Sequence, residues 1–385
     1  MAGVTLVTGG AGFIGSHLVD ALVDRGDRVR VLDSLDPQVH GSDASEPTLI
    51  AGHVAAGRVE FVHGNVTDPG AVAAALDGVD TVVHHAAAVG VGQSMYRIAD
   101  YVRANALGAA VLLEAMVARK DAIRRAVVAS SMSIYGEGAY RCEEHGDVAP
   151  SLRTAERMAA GDYEAHCPAC GRPVDPVPTP ESKTLQPTSV YAVTKRDHEE
   201  LFLSVGAAYG IPTVALRYFN VYGPRQSLDN PYTGVAAIFA SRLLNRRPPL
   251  IFEDGLQSRD FVHVSDIVGA NLRALDSDAA VGGAYNIGTG RSLNLRDMVA
   301  ALREQLGGPE PEYVGRFRQG DIRHCFADTT RAKEELGFEA HVPFEDGIHD
   351  LAAWARRQEP LDRVDAATGE LEQAGLTVPT EGGED

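Results

Sequence analysis

The chain has 385 residues, 44% of them hydrophobic, which is ample for a large core and suggests about two domains. Its formal net charge of −18 argues against nucleic acid as the main partner and requires that an anionic ligand be held by local arginines. No apolar run is long enough to span a bilayer, and the N-terminus shows neither a basic leader nor a small-residue cleavage site. The expectation is a cytoplasmic protein with no membrane partner.

Gly3 to Thr8 reads as a short apolar strand. Phe13 to Arg25 follows, with Phe13, Ile14, His17, Leu18, Ala21 and Leu22 at helical spacing. Arg28–Leu32, Val59–Val62, Thr81–His84 and Ala126–Ala129 read as the next strands. Tyr96 to Arg119 reads as one long helix, Val190 to Tyr209 as another, and Thr213–Leu216 as a further strand. Strands alternating with helices predict an α/β fold built on a Rossmann-type, doubly wound parallel sheet. Two segments break the rhythm. Glu137 to Pro187 lacks clean periodicity, ends proline-rich and holds three of the four cysteines; Gly375 to Asp385 is Gly- and acid-rich and is expected to be disordered.

The first strand runs into Gly9-Gly10-Ala11-Gly12-Phe13-Ile14-Gly15, which opens a helix. Glycines at 9, 12 and 15 allow backbone to approach a pyrophosphate at the helix N-terminus. Asp33, at the end of the second strand, can accept from the adenosine ribose hydroxyls and would repel a 2′-phosphate, which selects NAD. Asn65 and Val66 follow the third strand, where the chain passes the adenine. His85, Ala86 and Ala87 follow the fourth, with small side chains that let a cofactor come close; plain close packing would account for any one of these alanines.

Tyr191 and Lys195 form a YxxxK pair on one helix face. An ammonium beside a phenol lowers its pKa from about 10, so the tyrosine is expected to serve as a base near neutrality. The fifth strand ends in Ser130-Ser131-Met132-Ser133-Ile134-Tyr135-Gly136, which brings the hydroxyls of Ser131 and Ser133 to the same sheet edge.

Together, GGAGFIG, HHAAA, SSMSIYG, YAVTK and LRYFNVYGPRQ resemble the extended short-chain dehydrogenase/reductases, specifically their nucleotide-sugar epimerase and dehydratase group, over residues 1–136 and about 186–345. The resemblance implies Tyr191 as base, Lys195 as its partner, Ser131 as the hydroxyl on the sugar O4, and Asn105 as a structural or relay asparagine. It implies that Asn220, Arg225, Gln226, Arg259 and Arg323 contact the nucleotide diphosphate, where guanidinium forks suit phosphate oxygens. It also implies a homodimer through a four-helix contact. Dehydrating relatives carry an Asp-Glu pair where this chain has Met132 and Ser133, so an acid for removing the C6 hydroxyl is missing and 4-epimerisation is favoured. Asp33 argues against an NADPH reductase, and the complete Tyr191, Lys195 and Ser131 set argues against a non-enzymatic NAD-binding scaffold.

The expected organisation is an NAD-binding domain (1–136, 186–217 and 260–290), an insert (137–185), a smaller α/β nucleotide-sugar-binding domain (218–259 and 291–355) and a C-terminal tail (356–385). In the insert, Cys142-x2-His145 and Cys167-x2-Cys170 have the spacing of paired zinc ligands, which predicts a closed structural site; a redox CxxC pair or free thiols are the alternatives. The insert resembles that of bacterial enzymes acting on dTDP-6-deoxy sugars such as dTDP-L-rhamnose. UDP-glucose or UDP-glucuronate remains open as substrate.

Overall fold

The computed structural model describes residues 3–42 and 44–380. Its centre is one parallel sheet of seven strands: β1 (Val4–Thr8), β2 (Arg28–Asp33), β3 (Val59–His63), β4 (Val79–His84), β5 (Arg125–Ser131), β6 (Thr213–Tyr218) and β7 (Ala284–Ile287). Their order is β7-β6-β5-β4-β1-β2-β3. Such strands are apolar along their whole length because helices cover both faces. Alternation sends neighbours to opposite sides. Leu6 joins Leu32, Val82, Leu112 and Phe202 on one face, while Val7 joins Leu18, Val31, Val127 and Leu216 on the other. The chain leaves β1 toward β2 and β3 and then crosses back to β4, so a crevice opens at the carboxyl ends of β1 and β4. The doubly wound sheet is the fold expected from the sequence. Strand β7 is an addition to it: four residues between Gly283 and Gly288 are too short a run to signal a strand.

Three further differences bear on function. The segment expected as one long helix is broken into Ile98–Val102, a π-helical turn at Arg103–Leu107, and Gly108–Val117. The insert forms a small antiparallel sheet of Gly146–Val148, Ala139–Cys142 and Asp175–Val177, with a helical turn at Ala155–Ala159, around the few apolar groups of Tyr140, Cys142, Ala165, Cys167 and Val174. The tail is ordered through residue 380. Val364–Gln373 is a helix, and Thr377–Pro379 pairs antiparallel with Arg316–Arg318. Ala367, Leu371 and Thr377 are buried there, which three acidic neighbours in sequence concealed. The expectation of disorder for residues 381–385 lies outside the described residues. Helices Val235–Leu244, Leu295–Leu306 and Phe344–Ala355 pack around Phe239, Leu302 and Leu351 to form the smaller lobe beside the crevice.

Candidate active site at the carboxyl ends of the strands

The loop after β1 is shaped for close backbone approach. Gly9 has φ +71°, and a Cβ on it would lie 2.8 Å from Ala86 N. A Cβ on Gly15 would lie 2.2 Å from Gly9 O. Helix α1 (Phe13–Asp24) starts at Gly12 with no side-chain cap and no acidic residue in its first turn, so its N-terminal N–H groups are available to an anion. The Asp33 carboxylate is buried and accepts from Ala11 N and Leu35 N, each at 3.0 Å, which fixes the loop and the carboxylate together. This cradle fits the adenosine and pyrophosphate of NAD. A 2′-phosphate would meet Asp33 as a like charge, so NADP is expected to bind at least about tenfold more weakly. Titration of both cofactors checks this, and comparable dissociation constants would contradict it.

Apart from Asn105 and Arg323, every residue singled out above for cofactor, sugar or diphosphate lines one cleft of about 1340 Å³. Asn105 is buried behind it. Its Oδ1 accepts from Ala88 N (2.7 Å), and its Nδ2 donates to Ala88 O (3.1 Å) and Thr194 Oγ1 (2.9 Å). The π turn carries this asparagine, which ties the loop after β4 to helix α2 (Val190–Tyr209). Asn105 therefore positions cleft-lining segments and does not itself line the cleft.

Helix α2 begins at Ser189, whose hydroxyl accepts from Ala192 N at 3.1 Å, and Tyr191 N donates to Ser94 Oγ at 3.0 Å. These bonds set the first turn, which presents Tyr191 to the cleft beside Ser131. Ser133 Oγ donates to Ser131 Oγ at 2.9 Å. Burial raises the Tyr191 phenol above its usual pKa, and the Ser131 hydroxyl draws it partly back. The expected lowering by Lys195 is not found. The ammonium donates to Ala129 O at 2.5 Å and meets His198 Nδ1 at 3.1 Å, so its bonds go to the sheet and to the next turn of the helix rather than to the phenol. Burial pulls Lys195 down to about 7, against the opposing pull of Glu199.

Three imidazoles lie near this lysine, His84 and His198 buried and His85 half-buried. Burial, with Lys195 adding to it, pulls His84 down to about 3 and holds His198 well below its usual 6.5. Burial likewise takes His85 to about 4. Above pH 6.5 both folded and unfolded chains keep these rings neutral and stability is full. As pH falls from 6.5 toward 4, the unfolded chain takes up protons that the folded one refuses, and stability is lost. Urea unfolding measured across this range should show the midpoint falling with pH, and His198→Gln should flatten the fall. An unchanged slope would contradict this.

On the substrate side, Asn220 Oδ1, Arg225 Nη1 and Gln226 Oε1 are buried without a protein partner among the described residues, in the wall of the cleft. Such orphaned groups mark where a polar ligand would complete the bonding. Arg225 is anchored by Asp20 at 2.7 Å. Arg259 spends much of its fork on Ser258 O, Arg323 O, Ile322 O and Asp321 Oδ1.

Arg323 corrects the sequence reading. Its side chain is 1% exposed, and its guanidinium is consumed by Glu164, Glu253 and Asp254 at 2.6–3.1 Å. Those carboxylates are remote in sequence, so the motif could not reveal them. The residue that sequence reasoning missed is Arg318. It lines the cleft, its guanidinium stacks over Phe252 at 4.2 Å, and among the described residues no carboxylate pairs with it. Its signal in sequence was only its place three residues before Asp321 in Arg318-Gln319-Gly320-Asp321.

The tail also reaches the cleft. Glu370 Oε2 accepts from Tyr96 (2.7 Å) and Tyr232 (2.5 Å), and Leu371 lines the cleft wall.

In the insert, Cys142 Sγ lies 3.5 Å from His145 Nδ1 and 3.8 Å from Cys170 Sγ, and Cys167 Sγ lies 3.7 Å from His145 Nδ1. The four ligand atoms all lie within 4.8 Å of one another. His166, adjacent to Cys167, turns its Nδ1 to Glu164 O and its Nε2 to Asp162.

A glycine cradle, an open helix N-terminus and a phenol at the sheet edge define a Rossmann-type dinucleotide-binding protein with a second, polar ligand site. The chain belongs to the NAD dependent epimerase/dehydratase family, whose model matches residues 5–156 and 168–288. It is 34% identical to a dTDP-L-rhamnose 4-epimerase of Burkholderia thailandensis over 93% of this chain and 96% of the relative. Among solved structures, it resembles the UDP-glucose 4-epimerase of Thermotoga maritima with UDP-glucose, at TM-score 0.72 and 31% identity, covering 92% of this chain and 99% of the other. It also resembles the dTDP-glucose 4,6-dehydratase of Streptomyces venezuelae with NAD bound, at TM-score 0.75 and 28% identity, covering 92% and 97%. No helix of the described residues is long and apolar enough to cross a membrane.

Proposed function

We propose that this chain is an NAD-dependent nucleotide-sugar 4-epimerase acting through a transient 4-keto sugar, with a dTDP-6-deoxyhexose such as dTDP-L-rhamnose as substrate. The observation that carries the reaction type is the Tyr191–Ser131 pair at the cleft, with Met132 and Ser133 beside it in place of carboxylates. The rhamnose 4-epimerase relative supports the sugar. The UDP-glucose 4-epimerase likeness keeps a UDP-hexose as the second reading.

Gly9, Gly15, Asp33 and the N-terminus of α1 would hold NAD, which when bound supplies a hydride acceptor and donor for C4. Ser131 holds O4, and Tyr191 takes its proton as the carbonyl forms. Asn220, Gln226, Arg259 and Arg318 hold the diphosphate while the keto sugar turns about that linkage. Tyr191 then returns the proton to O4 on the other face. Removal of water would need an acid aimed at the C6 hydroxyl, and the side chains at 132 and 133 cannot donate as one. Incubation with dTDP-L-rhamnose and with UDP-glucose, without added cofactor, should give two diastereomers of one of them by NMR, with no loss of water. A stable 4-keto-6-deoxy product would make the enzyme a dehydratase.

We read the assembly as a homodimer. Ile98, Val102 and Leu107 on one segment and Val193 on α2 are exposed apolar groups on the helices that a four-helix contact would use. None of the four cysteines is paired in a disulfide, in keeping with the cytoplasmic compartment we infer. We assign Cys142, His145, Cys167 and Cys170 to a structural zinc.

A further inference from the structure

We propose that zinc in the insert is more than a local staple: it holds Arg153 and Glu164 against Asp321 and Arg323, in the segment that follows Arg318 and braces Arg259, so that occupancy of the metal site sets affinity for the nucleotide half of the substrate. This rests on the zinc reading above and deepens it.

The ligand spacing fits a filled shell. Tetrahedral zinc with Zn–S of about 2.3 Å and Zn–N of about 2.05 Å requires S···S of about 3.8 Å and S···N of about 3.6 Å. Cys142 and Cys170 have their sulfurs 3.8 Å apart, the sulfurs of Cys142 and Cys167 lie 3.5 and 3.7 Å from the imidazole, and all four ligand atoms lie within 4.8 Å of one another. Three thiolates and one imidazole leave no position for water, so a structural ion is the class expected. The two halves come from a hairpin, closed where Cys142 pairs with Gly146, and from a knuckle, where Gly171 N donates to Cys167 O at 2.8 Å. The apolar core between them is small. An insert with so little core depends on a cross-link for one shape.

The chain between the two ligand pairs leaves the hairpin after Val148 and joins no strand of the main sheet. Two of its side chains anchor it to the body. Arg153, 2% exposed, forks onto Glu253 at 2.7 and 2.9 Å and also donates to Asp321 O at 2.9 Å. Glu164 accepts from Arg323 at 2.6 and 3.0 Å and meets His324 Nε2 at 3.3 Å. Glu253 is held in the left-handed region at φ +57°, a position that a non-glycine residue keeps only when its surroundings fix it. Asp321 in turn binds Arg259 at 3.2 Å, and Arg318 ends the strand three residues before it. The metal ligands share the insert with Arg153 and Glu164, Glu164 standing three residues before Cys167, and these two side chains reach Asp321 and Arg323, which in turn contact Arg259. The glycine cradle for NAD has no part in these contacts.

The test uses the full chain, with dTDP and UDP as probes so that binding is read without turnover. The purified protein should contain about one zinc per chain. Stripping it with a chelator, or Cys167→Ser, should weaken binding of the nucleoside diphosphate by about tenfold or more, as a displaced clamp does, and leave NAD affinity unchanged. Added zinc should restore the stripped protein. Arg153→Met should do the same to nucleotide binding while retaining zinc, and Arg153→Lys should fail to rescue it, because an ammonium cannot bridge both Glu253 oxygens. A metal-free protein, purified without chelator and with its thiols reduced, would overturn the metal site. Unchanged dTDP and UDP affinity in both the stripped protein and Arg153→Met would overturn the coupling. Parallel loss of NAD binding in Arg153→Met would overturn it too, since the damage would then be global. A protein that behaves as expected here yet epimerises no sugar nucleotide would overturn the proposed activity alone.

Discussion

Tyr191→Phe should abolish epimerisation by at least about 10²-fold while NAD stays bound. The substitution removes one oxygen and almost no volume, so helix α2 and its cap at Ser189 should persist. What is lost is the group that takes the O4 proton. Tyr191 and Ser131 line the cleft together, which makes this phenol the proton acceptor placed there. The effect should therefore fall on kcat, with nucleotide binding near normal. Near-normal turnover by a folded Tyr191→Phe protein would place the base elsewhere.

Glu199→Leu should cost about 3–5 kcal/mol of stability, the range for stranding a buried charge. Arg217 and Glu199 are both buried and meet through Nη2 at 2.5 Å and Nε at 2.9 Å. Arg217 also donates to Tyr135 Oη at 2.7 Å and Glu181 O at 3.0 Å, so one guanidinium joins β6, α2, the end of the β5 motif and the tail of the insert. Removing the carboxylate leaves a cation in a site that water does not reach. The double variant Glu199→Leu with Arg217→Met should regain part of the loss, because the cost lies in the unpaired charge more than in the missing bond. Denaturant unfolding followed by circular dichroism measures this. A loss under about 1 kcal/mol in the single variant, the scale of an exposed pair, would mean that solvent screens the site.

How much of this was legible before the fold was known differs from residue to residue. Val190–Tyr209 was readable to its ends, because Ser189 caps it and Gly210 ends it in the left-handed region. The Gly9–Gly15 loop was readable because its glycines answer a local backbone need. Charge partners were not readable. Arg318 and Arg323 sit in one stretch of sequence, and what separates a cleft cation from a buried one is whether Glu164, Glu253 and Asp254 fold against it. Lys195 failed in the same way: its spacing from Tyr191 is right, but Ala129 O and His198 claim its protons. The break at Arg103–Leu107 was hidden because a π turn keeps helical composition and changes only the phase of the side chains. Within Gly375–Asp385, composition pointed to disorder, whereas Thr377–Pro379 pairs with Arg316–Arg318 and buries Thr377, a long-range partner that composition does not show.

The central claim is oxidation and reduction at the same sugar carbon, with Tyr191 moving the O4 proton. The most direct measurement follows a nucleotide sugar deuterated at C4, starting with dTDP-L-rhamnose, incubated with the purified protein and no added cofactor. Retention of the deuterium at C4 in the epimeric product, with no label appearing in water, is the expected result. Deuterium washed out into solvent during epimerisation would mean that C4 loses a proton instead, and would contradict the mechanism.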